Sequence, residues 1–145
     1  MNYKNTKNSI KEHEGFERVP YQLEYGNTKE NFFTGGYGHK LLKLGESIAP
    51  RTKEDWEEVF EMDFQIALDG ARSLLNEEET DPIAFGIVIE MIYQMGVKGC
   101  AGFKKMHKAI KNKEYLQASL EMENSRWCQQ TRRRAEALAV RMKNI

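Results

Sequence analysis

The stretch TKEDWEEVFEMDFQIALDGARSLL, residues 52–75, decides the architecture. Thr52 and Asp55 have the spacing of a helix capping box, with Asp in place of the usual Glu. Trp56, Val59, Phe60, Asp63, Ala67, Leu74 and Leu75 then recur at helical spacing. The pattern predicts one helix of about 24 residues, or about 36 Å. In a chain of 145 residues, a helix of that length can join two lobes.

Reading downstream, Asp81-Pro82 is a strong helix start, with Asp as cap and Pro in the first turn. From Pro82 to Met95 the chain is apolar nearly all round, through Ile83, Phe85, Ile87, Val88, Ile89, Met91 and Ile92. Such a helix is normally central and buried. Gly96 is expected to end it. Three shorter helices are expected near 103–112, 114–124 and 132–142. Reading upstream, a first helix is expected over about 8–17 with Asn8 as its cap, and Pro20 excludes helical geometry at Val19. Residues 21–40 read as strands and turns: Tyr25-Gly26-Asn27 is turn chemistry, Phe32-Phe33-Thr34 is β-prone, and Gly35, Gly36 and Gly38 permit close backbone approach. The expected fold class is α+β and mostly helical. A β-containing lobe takes residues 15–51, the connecting helix 52–75, and a helical lobe 1–14 plus 76–145. A cleft between two lobes is a common place for a polymer substrate.

Composition narrows the function. Hydrophobic residues make up 40% of the chain, enough for a real core, and the net charge is zero. The charge is unevenly spread. Residues 1–103 carry 11 Lys/Arg and 18 Asp/Glu, a balance of −7, and residues 104–145 carry 11 and 4, a balance of +7. The basic segment is either a solvated helical surface or a face for a polyanion. Arg132-Arg133-Arg134 lies on a predicted helix, where consecutive residues point in different directions. No aromatic residues interleave with it, so no nucleic-acid partner is expected. The polar N-terminus lacks a signal-peptide h-region, and no run of 18 apolar residues occurs, so neither export nor stable membrane insertion is expected. Cys100 and Cys128 are expected as reduced thiols. Neither has a histidine at metal-ligand spacing, so no metal and no cofactor is expected. A monomer is the expected state, since no coiled-coil heptad is present.

The chemistry centres on His13-Glu14-Gly15-Phe16. Cleaving a glycosidic bond usually takes two carboxyl groups, one to protonate the leaving oxygen and one to activate water or act as nucleophile. A free Glu titrates near about 4.3, so an acid working near neutrality needs burial or a tuned hydrogen bond. Glu14 reads either as such an acid or as a glutamate at a surface helix end. Thr34 reads either as a hydroxyl that orients water or as an ordinary strand threonine. His39 reads as a base or as a structural hydrogen-bond partner, with Asp63 as one conceivable mate. The glycine turn 34–38 lacks the Gly-Lys-Ser/Thr of a phosphate cradle.

Taken in order, these segments resemble the phage lysozymes (endolysins) of the T-even kind, glycoside hydrolase family 24. The likeness runs through Glu14-Gly15, Thr34/Gly36/Gly38-His39, the long helix, and Tyr93-Gln94-Met95-Gly96 with Gly99, Ala101, Gly102 and Phe103. It ends in Ser125-Arg126-Trp127, Gln130-Thr131 and Arg134-Ala135. The resemblance implies a muramidase that hydrolyses the β-1,4 bond between N-acetylmuramic acid and N-acetylglucosamine in peptidoglycan, with inversion and without metal. By the same resemblance Glu14 matches the catalytic glutamate, Thr34 the active-site threonine, and Arg134 an arginine that supports the glutamate. Gln94 and Trp127 match residues packed beneath it, and Tyr93 matches an aromatic lining the sugar cleft. Phe103 joins Tyr93, Gln94 and Trp127 as a substrate-binding candidate, and His39 is a supporting residue.

One departure stands out. The family has an Asp or Cys nine residues after the glutamate, where this chain has Leu23, and Glu14 to Thr34 spans 20 residues instead of 15. Glu24 is the nearest carboxylate and the expected second catalytic group, with Glu30 as second choice. Glu90 is a further departure, at a position where related enzymes often carry a neutral polar residue. The expected setting is host-cell lysis by phage, from the host cytoplasm after a separate membrane lesion. The alternatives are a virion-associated lysozyme used at entry, or a non-catalytic peptidoglycan-binding protein of the same fold.

Overall fold

A computed structural model describes residues 3–22, 24–25, 28–29, 32–41 and 46–145, with the backbone alone at 24–25 and 28–29. The fold is α+β and mostly helical. Helix α1 (Lys4–Glu14) is followed by strands β1 (Glu17–Tyr21), β2 (Glu24–Tyr25), β3 (Thr28–Lys29), β4 (Phe33–Gly36) and β5 (His39–Leu41). Helices α2 (Lys53–Leu74), α3 (Pro82–Ala101), α4 (Lys104–Lys111), α5 (Tyr115–Glu123), α6 (Arg126–Gln130) and α7 (Arg132–Lys143) complete the chain. By its contacts the chain forms two compact units, Lys7–Gln65 and Met1–Thr6 with Ile66–Ile145.

In the unit Lys7–Gln65, β1, β4 and β5 form an antiparallel sheet in the order β1-β4-β5, and β2 pairs with β3 as a separate ladder. Pro20 cannot donate to a ladder, and it lies on the edge strand β1, where the register to β4 is irregular. The centre of this unit is Trp56, with no exposed surface. A Cβ placed on Gly35 or Gly36 would come within 2.6 or 2.5 Å of the Trp56 ring, so only glycine lets β4 lie this close. The Trp56 Nε1–H donates to the Arg18 carbonyl at 2.9 Å. The capping box read at Thr52 forms in both directions: Asp55 N–H donates to Thr52 Oγ1 at 3.1 Å, and Thr52 N–H to Asp55 Oδ2 at 3.3 Å.

Residues 7–14 of α1 group with the strands in the unit Lys7–Gln65. The reason is a ladder of ion pairs onto α2: Lys7 to Glu61 at 2.8 Å and Lys11 to Glu57 at 2.6 Å. The same helix begins at Lys4, so Asn8 is interior and is not its cap. Gly15 closes α1 by donating its N–H to the Lys11 carbonyl at 3.0 Å.

The other unit is built around α3. Asp81 caps it, accepting from Ile83 N–H at 2.8 Å and Ala84 N–H at 3.2 Å. Residues Ala84 to Ile92 are all buried. Although α3 is long and apolar enough to cross a membrane, this stretch lies inside the protein. Its buried Glu90 accepts from the Arg141 guanidinium of α7 at 2.7 Å. Gly96, at φ +82°, breaks the helical geometry as expected, and a second helical stretch continues from the kink to Ala101 within α3. The three expected short helices are α4, α5 and α7. A further one, α6, is started by Ser125, whose Oγ accepts from Cys128 N–H at 3.1 Å. Cys100 and Cys128 are both free thiols and buried, and burial pushes the Cys100 thiol up to about 12.

Candidate active site

Glu14 is the last residue of α1 and is half-buried. Its carboxylate lies against Gly38, in the turn between β4 and β5. A Cβ added to Gly38 would sit 2.3 Å from Glu14 Oε2 and 2.9 Å from its Cδ. The backbone there has φ +74°, a left-handed conformation that glycine adopts without steric cost. The turn therefore meets the carboxyl through bare backbone.

Behind Glu14, α1 is anchored one helical turn back. Lys11 Nζ donates to Glu57 Oε2 at 2.6 Å, and Tyr37 Oη donates to Glu57 Oε1 at 2.7 Å. The Lys11 ammonium beside it holds the Glu57 carboxyl below the usual range. Burial, and then the bond to Glu57, pushes the Tyr37 phenol up to about 12. Lys11 also lies over the rings of Tyr37 and Phe60, 4.9 and 4.7 Å from their centroids. One carboxylate thus ties α1, the glycine turn and α2 together.

Thr34 stands on the central strand β4, paired with Tyr21 of β1 and Lys40 of β5, and is half-buried. The pleat puts its side chain on the sheet face opposite the one that Gly35 turns to Trp56. His39 is held between two carboxylates: Nδ1 meets Asp63 Oδ2 at 2.7 Å and Nε2 meets Glu46 Oε1 at 2.8 Å. The bond to Asp63 is the main cause of a pKa raised above the ordinary histidine value, against the lowering effect of burial. Arg51 extends the chain of charges, 3.6 Å from Glu46 and 4.5 Å from the Trp56 ring. Both imidazole nitrogens are thus engaged by structural partners.

The second carboxylate falls where less is described. Glu24 pairs with Lys29 through the β2–β3 backbone. Its side chain, together with Leu23 and Glu30, lies outside the described residues. Among the described residues no group of three or more His, Cys, Asp or Glu is arranged to hold a metal.

In the helical unit, the other candidates gather around α3 and α6. Trp127 Nε1–H donates to Gln94 Oε1 at 2.9 Å. The Phe103 and Trp127 rings meet edge to face at 5.9 Å. Both rings line a hollow of about 540 Å³ that also touches Met106, Glu121, Ser125 and Arg126. Tyr93, one residue before Gln94, is half-buried on α3. Of the three successive arginines, Arg132 and Arg133 are exposed, while Arg134 is half-buried with its Nε and Nη2 covered. The sequence reading missed Glu57, Tyr37, Glu46 and Arg51. A signal for Glu57 exists: Lys7 and Lys11 repeat at four residues on α1, as Glu57 and Glu61 do on α2. Glu46 and Arg51 lie in irregular chain, where spacing carries no such signal.

Comparisons with known proteins show the family. The family described as phage lysozyme matches residues 11–144. A relative from Dictyostelium discoideum, named probable T4-type lysozyme 1, is 30% identical over 139 residues, covering 79% of this chain and 82% of the relative. A second from the same organism, probable T4-type lysozyme 2, is 26% identical over 142 residues with the same coverage.

Proposed function

The chain belongs to the phage lysozyme family and is a lysozyme-type glycoside hydrolase acting on peptidoglycan; from that premise we propose that it is an inverting N-acetylmuramidase with Glu14 as general acid. The observation that carries this reading is the Glu14 carboxylate held at the end of α1 against the bare backbone of Gly38. In the proposed reaction Glu14 gives its proton to the glycosidic oxygen between N-acetylmuramic acid and N-acetylglucosamine. Water attacks the anomeric carbon from the opposite face of the ring. The β bond breaks and the new reducing end is released as the α anomer. Glu24 is the proposed base for that water, with Glu30 second, and an inverting pair stands roughly 6.5–9.5 Å apart. The Thr34 hydroxyl orients the water. Arg134 supports the acid, and Tyr93, Gln94, Phe103 and Trp127 form the sugar-binding surface. The proposed setting is phage host-cell lysis from the cytoplasm. The family's description supports it, while the eukaryotic source of both relatives favours, as a second reading, wall digestion outside infection.

The test is proton NMR of the anomeric signals during digestion of purified sacculi. Early accumulation of the α anomer is expected; early β anomer would overturn the inverting mechanism. Glu14→Gln should lower the rate by about 10²–10⁴-fold, the usual worth of a general acid. Glu24→Gln should do likewise. If only Glu30→Gln does, the base is Glu30.

A further inference from the structure

A second hollow, of about 420 Å³, lies beside α4 in the helical unit, and Lys104 lines both it and the hollow at Phe103 and Trp127. Lys104, Lys108 and Lys111 line it, at the i, i+4, i+7 spacing that puts them on one face of α4. No carboxylate pairs with any of the three among the described residues, whereas Lys7 and Lys11 are each paired. Three uncompensated ammonium groups around one concavity make a local positive potential. Leu74 and Ala101 supply apolar lining, and Asn112 lines the hollow too.

The same hollow is lined by His107, which is only 7% exposed. The His107 Nε2–H donates to the Cys100 carbonyl at 2.8 Å. That bond fixes the tautomer, so Nδ1 is an acceptor, and it is buried without a hydrogen-bond partner. Burial, and the nearby charge of Lys111, keep the ring neutral by lowering its pKa. A buried acceptor without a donor is a cost to the fold that a donor on a ligand would relieve.

We infer that this hollow binds a phosphate ester of a polyhydroxyl compound, with the three lysines on the phosphate and His107 Nδ1 accepting a hydroxyl. The lysines alone would hold any phosphate; the histidine selects one that carries a neighbouring hydroxyl. His107, Lys108 and Lys111 do not line the hollow at Phe103 and Trp127, so the inference stands or falls independently of the muramidase reading.

The experiment is an NMR titration of the full chain with sn-glycerol 3-phosphate and, separately, inorganic phosphate, following the His107 ring nitrogens and the lysine side chains. Saturable shifts are expected for both. Glycerol 3-phosphate should bind about tenfold tighter, as an added hydrogen bond to a buried acceptor allows. Lys108→Gln should weaken both ligands by about tenfold. It should leave the melting temperature and sacculus hydrolysis unchanged, because Lys108 is exposed. His107→Phe should abolish the preference while inorganic phosphate still binds. Lys143→Gln, at the end of α7, should change nothing. Absence of saturable shifts, equal affinity for the two ligands in wild type, or full affinity in Lys108→Gln would each overturn the proposal.

Discussion

Replacing Gly38 by Ala separates the catalytic geometry from the fold. The new Cβ would sit 2.3 Å from Glu14 Oε2, while its distance to Glu14 Cγ, 3.4 Å, is ordinary contact. Atoms in contact prefer about 3.5 Å or more, so the carboxyl end must retreat by about 1 Å. It is the end of a flexible side chain, so the retreat costs little, about 0.5–1.5 kcal/mol of rotamer strain at most. The backbone adds about 1–2 kcal/mol for an alanine at φ +74°. For a chain of this size 1 kcal/mol shifts Tm by roughly 2–4 °C, so a fall of roughly 2–8 °C is expected from the backbone alone. A misplacement of about 1 Å at the reacting group can cost about 10²-fold in rate. Gly15→Ala is the matched control: its φ is +69°, yet a Cβ there meets nothing within 4 Å. Both variants should lose similar stability, read by thermal melting. Only Gly38→Ala should lose kcat, read by reducing-end release at saturating sacculi. Equal kcat in the two variants would refute the argument that the Gly38 backbone sets the position of the Glu14 carboxyl.

Three further outcomes follow from named contacts. The His39 pKa is raised in the folded state, chiefly by Asp63. Its stabilisation is therefore complete below the unfolded value of about 6.5 and is lost as pH rises through the folded value. Denaturant midpoints should fall over that window in wild type and flatten in His39→Gln; an unchanged slope in the variant would show that His39 is not the linked group. Arg141→Met removes the guanidinium from the fully buried Glu90 and should destabilise by about 3 kcal/mol in denaturant unfolding, with Glu90→Gln in the same background recovering part of it. No recovery would mean that the loss was packing and not the lost charged hydrogen bond. Trp127→Phe leaves Gln94 Oε1 without the indole N–H and should cost about 1 kcal/mol. A change within error of zero would show that solvent replaces the bond.

The helices were legible because their signals are local. The Thr52/Asp55 box and the Asp81-Pro82 start both form as read, since a cap needs only residues two or three positions away. Asn8 misled for the same reason. It has cap chemistry, but α1 extends upstream to Lys4, and Thr6 and Ile10, four residues apart, are buried. Gly96 was read as a stop, and helical geometry does break there, at φ +82°, before a second helical stretch carries α3 on to Ala101. The partner of His39 was legible as Asp63, whereas Glu46 was not, because it sits in irregular chain that no periodicity indexes. The contact between Glu14 and Gly38 joins residues 24 positions apart through backbone and not a side chain. It was visible only as a glycine in the right turn.

The most direct test of the central claim compares reducing-end release from purified sacculi by wild type and Glu14→Gln, with circular dichroism to establish that both are folded. The account predicts release of N-acetylmuramic acid reducing ends by the wild type and loss of about 10²–10⁴-fold in the variant. A folded Glu14→Gln protein that retains wild-type release would contradict it, because no proton donor would then be required at the end of α1.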